Sequence, residues 1–188
     1  MATGFGARGS DRYSMGAIVF HWLIAALIAF NYVAAWISED MAKEDARIVM
    51  GNHQAIGISI LVLTALRIVW RLINRPPAFR TSLRPWEAAL ARLTHAAMYV
   101  LMIGIPLAGW LMVSAHTGGA PVNAFGVFSW PGLPLAADKA GAHTAGEVHE
   151  VLATAMLVLM GIHVLGALKH QWIDRDGSLS RIMPWGAR

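Results

Sequence analysis

The 188-residue chain contains no cysteine, and only 14% of it is charged, against roughly 25% in an average soluble domain. The absence of cysteine excludes disulfides, iron–sulfur clusters, thiol chemistry and covalent haem attachment through C-x-x-C-H. The stretch Met1–Tyr13 is Gly-rich and polar. It lacks an apolar core followed by a small-residue cleavage site, so no removable signal peptide is expected. No internal repeat and no second domain are apparent, and the chain reads as one domain, 1–188.

Apolar residues are abundant instead. Hydrophobic residues make up 56% of the chain, mean hydropathy is +0.51, and there are eight tryptophans and eight histidines. The net charge of +4 would suggest nucleic acid in a soluble protein. With this apolar content it points to membrane topology instead, and no nucleic-acid partner is expected.

Four apolar stretches run over about 16–37, 53–73, 93–115 and 148–169. Each has about 20 residues, enough at ~1.5 Å per residue to cross a ~30 Å hydrocarbon core as a helix. Helices satisfy their own backbone in lipid, so the expected fold is an all-α integral membrane four-helix bundle. Arg8, Arg12, Arg67, Arg71, Arg75, Arg80, Arg84, Arg92, Lys169, Arg175, Arg181 and Arg188 fall on one side of the four spans. Only Lys43, Arg47 and Lys139 fall on the other. The positive-inside rule then expects both termini and the second loop in the cytoplasm. That second loop, 74–92, carries Pro76, Pro77 and Pro85 and reads as an ordered turn. The third, 116–146, is rich in Gly, Pro and Ala and reads as a long outer loop. Pro106, between Gly104 and Gly109, is expected to kink the third helix or let it pack closely.

Ionisable side chains inside a membrane are costly and usually functional, and the depth of the histidines is informative. His21 lies about five residues inside the first span, and His163 about six residues from the end of the fourth. His53 and His149 open the second and fourth spans at the opposite face. One pair therefore sits near each membrane face. His149 and His163 are 14 residues apart, ~21 Å of rise and just under four turns, so they point the same way. His53 and Arg67 share a face by the same spacing. Two imidazoles on facing helices, above and below a flat macrocycle, are how a bundle holds a b-type haem without covalent attachment. Gly57 and Gly161 would leave room for such rings, and Arg67 would meet a propionate or else snorkel to headgroups.

Other histidines read differently. His95 could touch an inner propionate, line a quinone pocket or face solvent. His170 is the one rival for the inner ligand, but it would put the two sites ~31 Å apart. His116 and His143 belong to the outer loop. Asn31, mid-span, would bond across helices or lie near the haem gap. A histidine-lined metal-transport path is a further reading, which the scarcity of acidic residues in the spans opposes.

These residues also stand in a recognisable order. Ile18-Val19-Phe20-His21-Trp22 follows Arg12-Tyr13-Ser14; His53-x-x-x-Gly57 runs on through Leu63, with Arg67 to Arg71 after it. Then come Leu93-Thr94-His95 to Tyr99, Pro106, His149-Glu150-x-Leu152, Gly161-Ile162-His163 and Leu179 to Pro184. This pattern, over nearly the whole chain, resembles the bacterial cytochrome b561 family, including its superoxide-oxidising members. The resemblance implies a multi-pass cytochrome of the bacterial inner membrane with two b haems, His21 and His163 holding the inner one, His53 and His149 the outer. It also implies ubiquinone near the inner haem, within reach of His95.

Two functions follow as expectations. One is an enzyme, superoxide:ubiquinone oxidoreductase, whose outer face needs positive charge to steer a small anion. Lys139 and a protonated His143 are the local candidates, beside Glu147 and Glu150. The other is a non-catalytic electron-transfer subunit or shuttle serving a hydrogenase or dehydrogenase, with a redox protein docked on the outer loop.

Overall fold

A computed structural model describes residues 12–78 and 84–185. Arg8, Arg80 and Arg188 of the charge balance lie outside the described residues, as does the polar segment before Arg12.

Four long helices dominate the described residues: α1 (Met15–Ser38), α2 (Lys43–Ile73), α3 (Pro85–Thr117) and α4 (Lys139–Lys169). All four are long and apolar enough to cross a membrane. Most of each apolar stretch faces outward, least buried of all in α4. A helix that is apolar all round needs an apolar solvent on its open face. Helix α3 packs chiefly on α4 and helix α1 on α2, with α2 against α3 joining the two pairs. The shared core takes Ile24 and Ile28 from α1, Ile56 and Ile60 from α2, Leu101 and Met102 from α3, and Met156 from α4. Lipid tails are as apolar as these side chains, so close packing and cross-helix hydrogen bonds hold the helices together rather than hydrophobic burial. One such bond joins α1 to α4, the Tyr32 hydroxyl donating to the Ala153 carbonyl at 2.6 Å.

Three helices begin or end outside the stretches that hydropathy marks. Helix α2 starts at Lys43, well before His53, with Glu44 and Asp45 in its first turn, where acidic groups suit the positive end of the helix dipole. Helix α3 starts at Pro85, so much of the expected second loop is helical. Proline at the first position presets φ, and the Glu87 carboxylate accepts from the Arg84 backbone N–H at 3.0 Å. Helix α4 starts at Lys139 because Asp138 caps it, its Oδ1 accepting from the Ala140 N–H at 3.1 Å. These corrections share a cause: hydropathy marks where a helix is apolar, whereas capping decides where it starts.

The expected outer loop 116–146 is thereby shortened and contains a small hairpin, β1 (Val122–Ala124) paired antiparallel with β2 (Phe128–Trp130). Its turn is set by Phe125 and Gly126 at φ 56° and 72°, and the Asn123 side chain accepts from the Gly126 N–H at 2.7 Å. Helix α3 continues through Pro106 and ends at Gly118 in the left-handed region, φ 67°, where glycine carries no Cβ penalty.

The start of α1 and the segment after α4 meet at one end of the bundle. Trp22 Nε1 donates to the Ile182 carbonyl at 2.9 Å, and an Arg12 guanidinium nitrogen donates to the Met183 carbonyl at 2.6 Å. After α4 the chain makes a π-turn over His170–Asp174 and a 3₁₀ turn over Leu179–Arg181.

Candidate metal centres

The packing brings four histidines from three helices into two pairs. The ring centroids of His21 (α1) and His163 (α4) lie 6.2 Å apart with an interplanar angle of 66°. Those of His53 (α2) and His149 (α4) lie 6.2 Å apart at 68°. A metal bonded at roughly 2 Å to each nitrogen separates two trans imidazole centroids by about 6 Å once the half-width of each ring is added. Both pairs are therefore spaced for one axially ligated iron. All four histidines are half-buried.

In the His53/His149 pair both rings are oriented by main chain. His53 Nδ1 lies 3.2 Å from the Asn31 carbonyl oxygen on α1, and His149 Nδ1 lies 2.9 Å from the Ile105 carbonyl oxygen on α3. A carbonyl only accepts, so each Nδ1 carries the proton and each Nε2 presents its lone pair for a metal. Of the two expectations for Asn31, a cross-helix bond or a place near the haem gap, the bond is made by its main-chain oxygen, while its buried Oδ1 lacks a hydrogen-bond partner. A Cβ built on Gly57, one turn from His53, would meet nothing within 4 Å, which leaves space beside that ring; Gly161 is exposed on the side of α4 opposite His163 and does not open the space expected of it.

The His21/His163 pair is surrounded differently. Arg67 Nη2 lies 3.2 Å from His21 Nδ1. The same guanidinium stands over the Tyr99 ring at 5.4 Å, and Arg71 approaches that ring at 6.0 Å, both favourable cation–π placements. His95 on α3 reaches this end too, its centroid 5.1 Å from that of His163 at 73°. That is shorter than a metal between two trans imidazoles requires, so His95 stands beside the pair rather than opposite it.

The remaining candidates lie elsewhere. His170 turns its Nδ1 to Asp174 and Asp176, at 2.9 and 3.1 Å, away from His21. These three residues bring donor atoms within 4.8 Å of one another, but Lys169 Nζ already sits 2.6 Å from Asp174 and 3.0 Å from Glu87. The group is an ion network at the end of α4. His116 is exposed, and His143 is an exposed partner of Glu147 at 3.6 Å. Lys139, also exposed, lies about 15 Å along α4 from His149.

Sequence reasoning missed the carbonyl oxygens of Asn31 and Ile105 and the Tyr99 ring beside Arg67. A carbonyl is present at every residue and leaves no signal in the sequence. Tyr99, four residues after His95, shares its helical face and was open to discovery.

Comparison with known proteins gives the family. The chain is 33% identical over 184 residues to cytochrome b561 homolog 2 of Escherichia coli K12, the alignment covering 92% of each chain. It is 30% identical over 179 residues to the probable superoxide oxidase CybB of Yersinia pestis, with 92% of this chain and 96% of that one covered. It is 28% identical to cytochrome b562 of Cereibacter sphaeroides, over 91% of this chain and 94% of that one. The family model described as prokaryotic cytochrome b561 matches residues 12–185, which include both histidine pairs. This chain therefore belongs to the prokaryotic cytochrome b561 family, multi-pass bacterial membrane proteins that bind haem b and transfer electrons.

Proposed function

We propose that the chain is a diheme b-type cytochrome of the bacterial inner membrane that moves electrons between an outer-face donor and the quinone pool, as a superoxide:ubiquinone oxidoreductase. The observation that carries this reading is the pair of equal 6.2 Å imidazole separations, set ~21 Å apart along α4. His21 and His163 would hold one haem and His53 and His149 the other. The charge asymmetry of the flanking segments supports both termini, and so the His21/His163 site, on the cytoplasmic side. Haem held by these imidazoles would supply one-electron transfer.

The chain's own residues do the rest. Carbonyl oxygens on α1 and α3 hold the outer imidazoles in the tautomer that ligates. Arg67 supplies a fixed cation at the inner site, within reach of a propionate. The Ile- and Met-rich core keeps water out between the two levels. His95, beside His163, would line the ubiquinone site and hold or give a proton there at a ring nitrogen.

Superoxide as donor is supported by the name of the Yersinia pestis relative and by Lys139 at the outer mouth. A second reading, an electron-transfer subunit fed by a redox protein, is favoured by Glu147 and Glu150 standing nearer to His149 than Lys139 does along α4. The deciding experiment is the haem-to-protein ratio and reduced-minus-oxidised spectrum of detergent-purified protein, with His149→Ala and His163→Ala beside it. Two haems falling to one in each variant supports the two-site reading; folded wild-type protein without haem would sink it. Rapid haem reduction by superoxide then favours the enzyme, and a co-purifying redox protein with little superoxide reactivity favours the subunit.

A further inference from the structure

Two glycines flank Pro106 on α3, and composition gives no reason to distinguish them. The structure does. A Cβ built on Gly104 would meet Leu152 Cδ1 at 3.6 Å, an ordinary van der Waals contact. A Cβ built on Gly109 would stand 3.1 Å from both Cε1 and Nδ1 of His149, closer than such atoms normally approach. Gly109 lies one turn beyond Ile105, so residues 105 and 109 are stacked on one face of α3. The His149 ring lies across that turn, its Nδ1 bonded to the Ile105 carbonyl oxygen at 2.9 Å. The bond and the missing side chain work together, since the ring reaches the carbonyl only by lying over Cα of residue 109.

We propose that Gly109 is a positioning residue for His149: its bare Cα lets the imidazole lie flat enough on α3 to give Nδ1–H to Ile105 and aim Nε2 at the outer haem iron. This rests on the reading of His149 as an axial ligand. A methyl group at residue 109 would push the ring off the carbonyl, tilting the ligand and making it less basic, because a ligating histidine gains basicity from the acceptor on its other nitrogen. The bond to the Asn31 carbonyl locks the opposite ring, His53, so His149 alone would move.

The test uses the haem-loaded, full-length protein and compares Gly109→Ala with Gly104→Ala, each also in a His149→Ala background. Readouts are haem content, the ferric electron paramagnetic resonance spectrum and the midpoint of each haem. Gly109→Ala is expected to shift the signal and midpoint of one haem and loosen its retention, leaving the other as in wild type. Gly104→Ala should match wild type in all three. With His149 removed there is no ring to strike, so Gly109→Ala should add nothing to His149→Ala, as coupled neighbours in a double-mutant cycle behave. The same test holds if the single variant does not fold, because the double variant should still fold and hold one haem. Wild-type spectra for Gly109→Ala, or equal damage with and without His149, would overturn the proposal. Two haems retained in His149→Ala would overturn the ligand assignment itself, an outcome distinct from either.

Discussion

Arg67 on α2 reaches across to α1 and sets its Nη2 3.2 Å from His21 Nδ1. A guanidinium only donates, so His21 Nδ1 accepts here and the neutral ring carries its proton on Nε2. His53 and His149 show the opposite arrangement, each giving Nδ1–H to a main-chain carbonyl. Ligation of an iron through His21 Nε2 would require the proton to leave that nitrogen and Arg67 to release Nδ1. A propionate carboxylate would then be the natural recipient of the guanidinium.

Arg67→Met should lower the midpoint of one haem and leave the other in place. A cation near a haem favours its reduced, less positive form. At an effective dielectric near 20 and a separation of about 8 Å, the loss of that charge corresponds to a shift on the order of 100 mV, about 2 kcal/mol for one electron. Potentiometric titration of the wild type and variant checks this; two unmoved midpoints would remove Arg67 from the site.

The ring planes of the two pairs cross at 66° and 68°. Strongly crossed axial imidazoles leave the iron's two π-bonding orbitals nearly equal in energy, which stretches the g-tensor. A ferric haem held by either pair is therefore expected to give a highly anisotropic low-spin resonance at liquid-helium temperature. An ordinary rhombic triplet from either haem would mean that its ligand planes are closer to parallel than in this structure.

His95→Ala should retain both haems, since its ring stands 5.1 Å from that of His163, too close to be the trans ligand. Reduction of haem by an outer donor should be unaffected, whereas electron transfer to ubiquinone should slow, roughly 10-fold or more if the imidazole handles a proton. Loss of one haem in this variant would transfer ligand duty to His95.

Lys139→Glu separates the two donor readings. With superoxide as donor, the reversal of charge at the head of α4 should slow haem reduction several-fold at low salt. The difference should fade above about 0.1 M ionic strength, where the screening length falls to ~10 Å. Stopped-flow reduction at two salt concentrations measures it. Equal rates for variant and wild type would leave Lys139 without a steering role.

Much of this architecture is legible in the amino-acid sequence. The spacing of Ile24 and Ile28, or of Ile56 and Ile60, marks a helix face, and four ~20-residue apolar stretches in a chain this poor in charge have few alternatives to a membrane bundle. The depth of His21 and His163, and of His53 and His149, grouped the same histidines that the bundle sets 6.2 Å apart. The difference between His163 and His170 was harder to read, because seven residues return a helix to nearly the same face. Here the helix gives way to a π-turn at His170, and the two carboxylates of Asp174 and Asp176 claim that imidazole.

The sequence by itself determined the number of helices, their apolar length and the level of each histidine, because hydropathy and helical rise are properties of short stretches of chain. Only tertiary structure decided which nitrogen of His53 and of His149 is left for a metal. It also decided that Arg67 faces His21, that His95 stands beside His163, and that the turn between Ile105 and Gly109 receives His149. Those relationships depend on carbonyl oxygens, ring orientations and missing atoms on neighbouring helices, which come into register only when α1 packs on α2 and α3 on α4.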